Sequence, residues 1–232
     1  MPLPKIMEAN VIIVAGGSGE RFGLKKQFIT LGDIPVIRRA ADCFDAHPLI
    51  KAIVIVVPAE DLSRTEKIME GVKSRLIITA GGKTRRDSVW NGLKVLPSKD
   101  PVLIHDGVRP FVPEPLIERV LQGLKSADAC IPGIAETDTI KEIEGGFVRK
   151  TIPRQTVYRI QTPQAFGFDC IMNAHSAAAD SESGNITDDS LLVELAGGKV
   201  RLVQGDPYNI KITLKEDRYI AEAILQCHTE SA

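Results

Sequence analysis

The 232-residue sequence has no surplus of either charge: 29 Lys and Arg against 30 Asp and Glu leave a net charge of −1. A general nucleic-acid surface needs a basic excess, so any anion site here must be local. Cysteine is scarce. Cys43, Cys130, Cys170 and Cys227 include no Cys-x-x-Cys, and the four histidines form no ligand pair, which fits reduced core thiols in a cytosolic protein. No apolar run approaches a transmembrane span. Residues 1–10 carry Lys5 and Glu8 with no apolar block before them, so no signal peptide is expected. These absences predict a cytoplasmic protein that engages neither membrane nor nucleic acid. With 44% hydrophobic and 25% charged residues, the chain can bury the core of one α/β domain.

The rest of the chain is organised around residues 11–27. Val11-Ile12-Ile13-Val14 reads as a buried parallel strand. It runs into Ala15-Gly16-Gly17-Ser18-Gly19-Glu20-Arg21-Phe22-Gly23, then Leu24-Lys25-Lys26-Gln27. Glycines let backbone amides approach a ligand closely, and amides beside cations suit a polyphosphate. Two commoner phosphate loops are excluded. The spacing Gly17, Gly19, Gly23 is one residue too long for a dinucleotide fingerprint, and no Gly-Lys-Ser/Thr follows for a Walker loop. What remains, G-x-G-x-R followed by Lys-Gln, is the nucleotidyltransferase pattern. The competing reading is a plain glycine turn with solvated charges.

Further along, Val36, Ile37, Ala40, Ala41 and Phe44 recur at helical spacing before Pro48. Ala52–Val57, Leu76–Thr79, Val102–His105 and Ala129–Ile134 read as strands. Asp61–Met69, a segment with Val89, Leu93 and Leu96 on one face, and Leu116–Leu124 read as helices. Thr139–Ile143 and Phe147–Thr151, joined by Gly145-Gly146, read as a hairpin, which needs something to pack on. Gln161–Phe166 returns the chain to the core. Helices are expected near Phe168–Ala179, from an N-cap at Thr187 to Leu195, and from about Glu216 to Cys227, with a strand at Val200–Val203. The alternation predicts a doubly wound α/β domain over residues 1–232, interrupted by a hairpin arm at 136–156.

In such a sheet a ligand sits beyond the carboxyl ends of the strands, where three segments fall: Gly17–Lys26, Gly81–Ser88 and Asp106–Arg109. Gly81-Gly82 permits close approach of a base or ribose, and Ser88 near a helix start can donate a hydrogen bond. Asp106 directly follows a strand, where a carboxylate can hold Mg²⁺ or a substrate hydroxyl; the alternative is an ion pair with Arg109 that shapes the turn. His105 reads as a packed strand-end residue. Lys211 is a cation flanked by apolar residues. Thr187-Asp188-Asp189 reads as helix capping, with metal binding the alternative.

These stretches carry a resemblance. Ala15–Arg21 with Lys26-Gln27, Gly81-Gly82 with Arg85 and Asp87-Ser88, and His105-Asp106-Gly107-Val108-Arg109-Pro110 come first. Asp138-Thr139-Ile140-Lys141, Gln161-Thr162-Pro163-Gln164, Ile186-Thr187-Asp188-Asp189 and Asn209-Ile210-Lys211 follow in order. Over essentially its full length the chain resembles the 2-C-methyl-D-erythritol 4-phosphate cytidylyltransferases of the non-mevalonate isoprenoid pathway.

The resemblance implies a doubly wound, mostly parallel Rossmann-like sheet of the nucleotidyltransferase type with a protruding β-hairpin arm. It implies a Mg²⁺-dependent reaction of CTP with methylerythritol phosphate, giving the CDP-linked alcohol and pyrophosphate. By motif, Arg21, Lys26, Arg154 and Lys211 are the catalytic cations. Ala15, Gly16, Gly17, Gly19, Gly82, Arg85, Ser88 and Gly107 hold the nucleotide, while Asp106, Arg109, Thr139, Thr162 and Thr187 hold the acceptor, with Asp106 the candidate metal ligand. The family is dimeric through the arm, so Arg154 would act on the neighbouring subunit's substrate. Lys25 stands where the family has a proline, leaving both Lys25 and Lys26 as candidates for the loop lysine. Gly107-Val108 replaces paired alanines. A ribitol- or other polyol-phosphate cytidylyltransferase is the alternative enzyme, and a non-catalytic nucleotide-binding protein is the alternative class. The attacking phosphate oxygen is already ionised at neutral pH, so alignment of two anions and charge neutralisation suffice.

Overall fold

A computed structural model describes residues 7–16, 25–45, 47–178 and 186–230. Strand β1 (Ala9–Val14) is buried on both faces and leads, past the segment outside the described residues, to the short pair β2 (Thr30–Leu31) and β3 (Ile34–Pro35). Helix α1 (Val36–Asp45) buries the stripe Val36, Ile37, Ala40, Ala41, Phe44. Then come β4 (Ile50–Val57), α2 (Leu62–Ile68), β5 (Arg75–Ala80), α3 (Arg85–Lys94), β6 (Val102–Asp106), α4 (Glu114–Gly123) and β7 (Ala129–Ala135). The hairpin β8 (Ile140–Glu144) and β9 (Phe147–Ile152) follows, then β10 (Tyr158–Ile160), β11 (Gln164–Phe166), α5 (Phe168–Ala177), α6 (Asp189–Leu195), β12 (Val200–Gln204) and α7 (Asp217–Glu230).

Eight strands form one sheet in the order β10-β7-β11-β6-β1-β4-β5, with β12 also on β7. β1 runs parallel to β4 and β6, β4 to β5, and β12 to β7. The path therefore steps from β1 to β4 and β5, then returns through α3 to β6 on the other side of β1. That reversal opens a crevice beyond the carboxyl ends of β1 and β6. Alternation along β1 feeds two cores. Val11 and Ile13 pack with Phe44, Ile117 and Val120 under α1 and α4, while Ile12 and Val14 pack with Val89, Leu93 and Leu192 under α3 and α6. A third cluster, Leu31, Val108, Phe111, Ile212, Ala221 and Ile224, fixes α7.

The expected strands and helices are present, with three differences. Tyr158–Ile160 and Gln164–Phe166 are strands rather than connections, and β11 runs antiparallel between β6 and β7. Three residues are too few for a periodic signal to emerge. The expected helix at 61–69 opens as a 3₁₀ turn at Ala59–Asp61 before α2. The N-cap of α6 is Asp188, not Thr187: the Asp188 carboxylate accepts from Leu191 N at 3.1 Å.

In the arm, Glu144 pairs with Phe147 across Gly145 and Gly146, whose φ angles of +57° and +85° match the tightest hairpin turn. Phe147, Val148 and Ile143 are exposed on it. Among the described residues no helix is long and apolar enough to cross a membrane.

Candidate active site

The crevice holds two adjoining cavities. The first is lined by Ala15 and Gly16 at the end of β1, Lys26, Gly82 and Ser88, and it ends at Asp106. The second is lined by Arg109, Thr162, Gln164 and Thr187. Arg85, Asp106 and Lys211 line both.

The wall carrying Gly82 is set by the start of α3. Thr84 caps the helix: its hydroxyl accepts from Asp87 N at 3.1 Å and Asp87 Oδ2 accepts from Thr84 N at 3.1 Å. This draws the turn in so tightly that a Cβ on Gly82 would lie 2.3 Å from Asp87 Cβ. The Ser88 hydroxyl donates to Thr84 O at 2.9 Å and accepts from Gly82 N at 3.1 Å. Its only proton is spent on the loop, so towards a ligand Ser88 offers a lone pair. Opposite, Gln27 donates to Ala15 O at 3.0 Å, which seats Lys26 at the cleft. Lys25, 2.6 Å from Asp61 Oδ2 and 3.0 Å from Glu60 Oε1, lines not this cavity but a neighbouring hollow shared with Gly16 and Gly82.

Asp106 lies at the junction of the cavities. Lys211 Nζ is 2.9 Å from Oδ2, Arg109 Nε 3.5 Å from Oδ2, and Arg85 Nε 3.4 Å from Oδ1. Burial alone would raise its pKa; Arg85, Lys211 and Arg109 outweigh it and hold the carboxyl well below the usual carboxylate range. The ion pair with Arg109 exists, but as one of three. Arg85 also reaches Asp189 Oδ2 at 2.6 Å. Burial pulls the Arg85 guanidinium down, and the two carboxylates outweigh it and leave it raised.

The backbone of Asp106 is fixed by a directed chain. His105 Nε2 lies 3.0 Å from Arg109 O, an acceptor only, so Nε2 carries the proton. Nδ1 is then an acceptor, and the Thr162 hydroxyl donates to it at 2.9 Å. Thr162 Oγ1 in turn accepts from Asp106 N at 3.0 Å. Burial pushes the His105 imidazole down to about 4, so it stays neutral. Antiparallel β11 makes this possible: Gln164 pairs with Ile104, which brings Thr162, two residues earlier, to the carboxyl end of β6.

Lys211 is placed by its neighbours. Ile212 is fully buried and its N–H donates to Val108 O at 3.0 Å. Asn209 donates to Thr162 O at 2.8 Å, and Arg109 Nη1 to Asn209 O at 2.9 Å. Gln161 clamps the loop further by donating to Asp206 O at 2.8 Å. With these anchors on both sides, Lys211 reaches the shared wall.

Of the candidate residues, Ala15, Gly16, Lys26, Gly82, Arg85, Ser88, Asp106, Arg109, Thr162, Thr187 and Lys211 line the crevice. Gly107 does not open to it. Its N–H donates to Val14 O at 2.8 Å and a Cβ there would lie 2.9 Å from Ala15 Cβ, so it joins the ends of β1 and β6. Thr139 and Arg154 stand on the exposed arm and line neither cavity. Gly17, Gly19 and Arg21 lie outside the described residues. Asp106 does not suit Mg²⁺: three cations already crowd its two oxygens. Asp189, which shares Arg85 with it, is taken by that guanidinium at 2.6 Å and by His175 at 3.3 Å. Among the described residues no group of three or more His, Cys, Asp or Glu is placed to hold a metal. Asp189 was read as capping; its burial at the start of α6 and its pairing 104 residues away are tertiary and leave no local signal.

A family model described as 2-C-methyl-D-erythritol 4-phosphate cytidylyltransferase matches residues 9–227. Relatives of that name from Geobacillus thermodenitrificans and Geobacter metallireducens are 41% and 38% identical, over 94% and 95% of this chain and 97% and 98% of theirs. The crystal structure of 4-diphosphocytidyl-2C-methyl-D-erythritol synthase from Anaerococcus prevotii matches with a TM-score of 0.85 at 36% identity, covering 95% of this chain and 96% of that one. The 2-C-methyl-D-erythritol 4-phosphate cytidylyltransferase structure from Thermus thermophilus matches with a TM-score of 0.78 at 29% identity, over 95% and 100%. A mostly parallel sheet with its crevice at the β1–β6 reversal, two adjoining cavities and these full-length likenesses agree, and the chain belongs to the 2-C-methyl-D-erythritol 4-phosphate cytidylyltransferase family.

Proposed function

We propose that the chain transfers the cytidylyl group of CTP to 2-C-methyl-D-erythritol 4-phosphate, in the supply of isoprenoid precursors. The observation that carries the reading is two cavities meeting at Asp106 and Lys211, one beside the glycine strand end and one beside Thr162 and Thr187. The nucleotide occupies the first, its base against Gly82 and Ser88, whose lone pair suits an exocyclic amine. The acceptor occupies the second, a hydroxyl on Asp106 and its phosphate towards Lys211 and Arg109.

An oxygen of the acceptor phosphate attacks the α-phosphorus of CTP, and the bond from that phosphorus to the pyrophosphate oxygen breaks. The nucleophile brings its own charge, so no proton need be removed; neutral His105 has both nitrogens engaged and serves as structure. Lys26 and Lys211, with Arg21, neutralise charge that builds on the α-phosphate and leaving group. Mg²⁺ would be carried in by the triphosphate and would add to that neutralisation, with no described residue of the chain assigned to hold it. The exposed arm, with Phe147, Val148 and Ile143 on its surface, is read as the contact of a homodimer that delivers Arg154 and Thr139 to the other subunit's acceptor. Pyrophosphate release from CTP and Mg²⁺ tests the reading, with methylerythritol phosphate and ribitol phosphate in parallel. Release with the first alone is expected; preference for ribitol phosphate would overturn the acceptor assignment.

A further inference from the structure

Behind the shared wall lies a closed circuit of side chains that the proposed chemistry does not use. Asp189, 1% exposed, opens α6 directly after Thr187 and Asp188 of the second cavity. Its Oδ2 is 2.6 Å from Arg85 Nη1 and its Oδ1 3.3 Å from His175 Nε2. His175, buried near the end of α5, stacks its ring on Trp90, with centroids 6.0 Å apart and planes 10° from parallel. Trp90 sits on α3, the helix that begins with Arg85. The circuit thus ties α3, α5 and α6 together around one carboxylate.

The distances rank the two partners of Arg85. Asp189 is at 2.6 Å and Asp106 at 3.4 Å, whereas Lys211 approaches Asp106 to 2.9 Å. The donors of a guanidinium form a rigid planar fork, so Nη1 held on Asp189 fixes the whole group and leaves its Nε standing off Asp106. We propose that Asp189, braced by His175, is a positioning residue: it holds Arg85 back from Asp106, so that Asp106 stays partnered with Lys211 and open to the acceptor. Without it, Arg85 closes on Asp106, displaces Lys211 and blocks the second cavity. The inference rests on the acceptor lying in that cavity.

The test is a double-mutant cycle on the full-length protein with Asp189→Asn, Arg85→Gln and both, assayed by pyrophosphate release. Asp189→Asn should raise KM for methylerythritol phosphate about 10-fold and leave KM for CTP within about 3-fold. The double variant should be no worse than Arg85→Gln alone. Unchanged acceptor KM in a folded Asp189→Asn protein, or full additivity, overturns the inference. If Asp189→Asn does not fold, His175→Asn is read in the same assay. An acceptor KM raised 3-fold or more with CTP unaffected supports positioning, and no change overturns it. Silence of the unmodified protein with methylerythritol phosphate overturns the function and this inference together; an active parent with indifferent variants overturns only the inference.

Discussion

The Thr162 hydroxyl donates to His105 Nδ1 at 2.9 Å while accepting from the Asp106 amide at 3.0 Å. One buried oxygen thereby joins the histidine, whose tautomer Arg109 O sets, to the backbone of the shared carboxylate. Thr162→Val keeps the shape and removes both bonds. It should cost about 2–4 kcal/mol of unfolding free energy, since each buried group left unpaired costs ~1–3 kcal/mol. Urea denaturation checks this, and Thr162→Ser should recover most of the loss.

His105 makes stability depend on pH. Its imidazole is pushed from 6.5 down to about 4 in the folded protein. Between those values the unfolded chain binds a proton that the folded one does not, so stability is full above pH 6.5 and falls as pH drops to 4. The loss is about 3 kcal/mol at ~1.36 kcal/mol per pH unit. Asp106, held well below its usual value, adds a further loss at lower pH as it protonates. Unfolding curves across pH 4–7 should show the first decline, and His105→Gln should flatten it.

The two loop lysines separate by role. Lys26 lines the first cavity; Lys25, outside that cavity, pairs with Asp61 and Glu60. Lys26→Ala should lower kcat about 100-fold or more with a smaller change in KM for CTP, as befits a contact that strengthens in the transition state. Lys25→Ala should lower kcat less than about 3-fold and stability by under about 1 kcal/mol, the usual worth of a surface pair. The reverse pattern would transfer the role to Lys25.

If the arm works across a dimer, two inactive proteins complement each other. Arg154→Ala and Lys26→Ala subunits, mixed and allowed to exchange, should recover about a quarter of wild-type turnover. Half of the dimers are then mixed, and each has one intact site of two. Failure to recover, with exchange verified by mass, would place Arg154 in its own subunit's service.

The doubly wound order was legible because strands such as Ile50–Val57 are long, apolar and closed by Pro58, and because α1 carries a full helical stripe. The crevice was legible because Gly82, Asp106 and Lys211 sit in local patterns that point to a ligand. β11 was not: three residues of strand show no period, and its antiparallel insertion depends on partners at Val102–Ile104 and Ala129-Cys130. The Arg85–Asp189 pair was hidden for a related reason. A doubled acid at a helix start explains itself as capping, and only the fold reveals that one acid caps while the other is buried against a cation.

β11 also divides the labour of the chain. The first cavity, proposed for the nucleotide, comes from parallel strand ends and the loops that follow them, at β1, β5 and β6. The second, proposed for the acceptor, comes chiefly from residues that precede their elements, Thr162 before β11 and Thr187 and Asp188 before α6. On the proposed assignment the two specificities are written in different stretches of sequence and, among the described residues, meet only at Arg85, Asp106 and Lys211. A new acceptor would then be fitted by recutting residues 160–188 with the nucleotide grip left intact, and the three shared side chains are where such a graft would fail first.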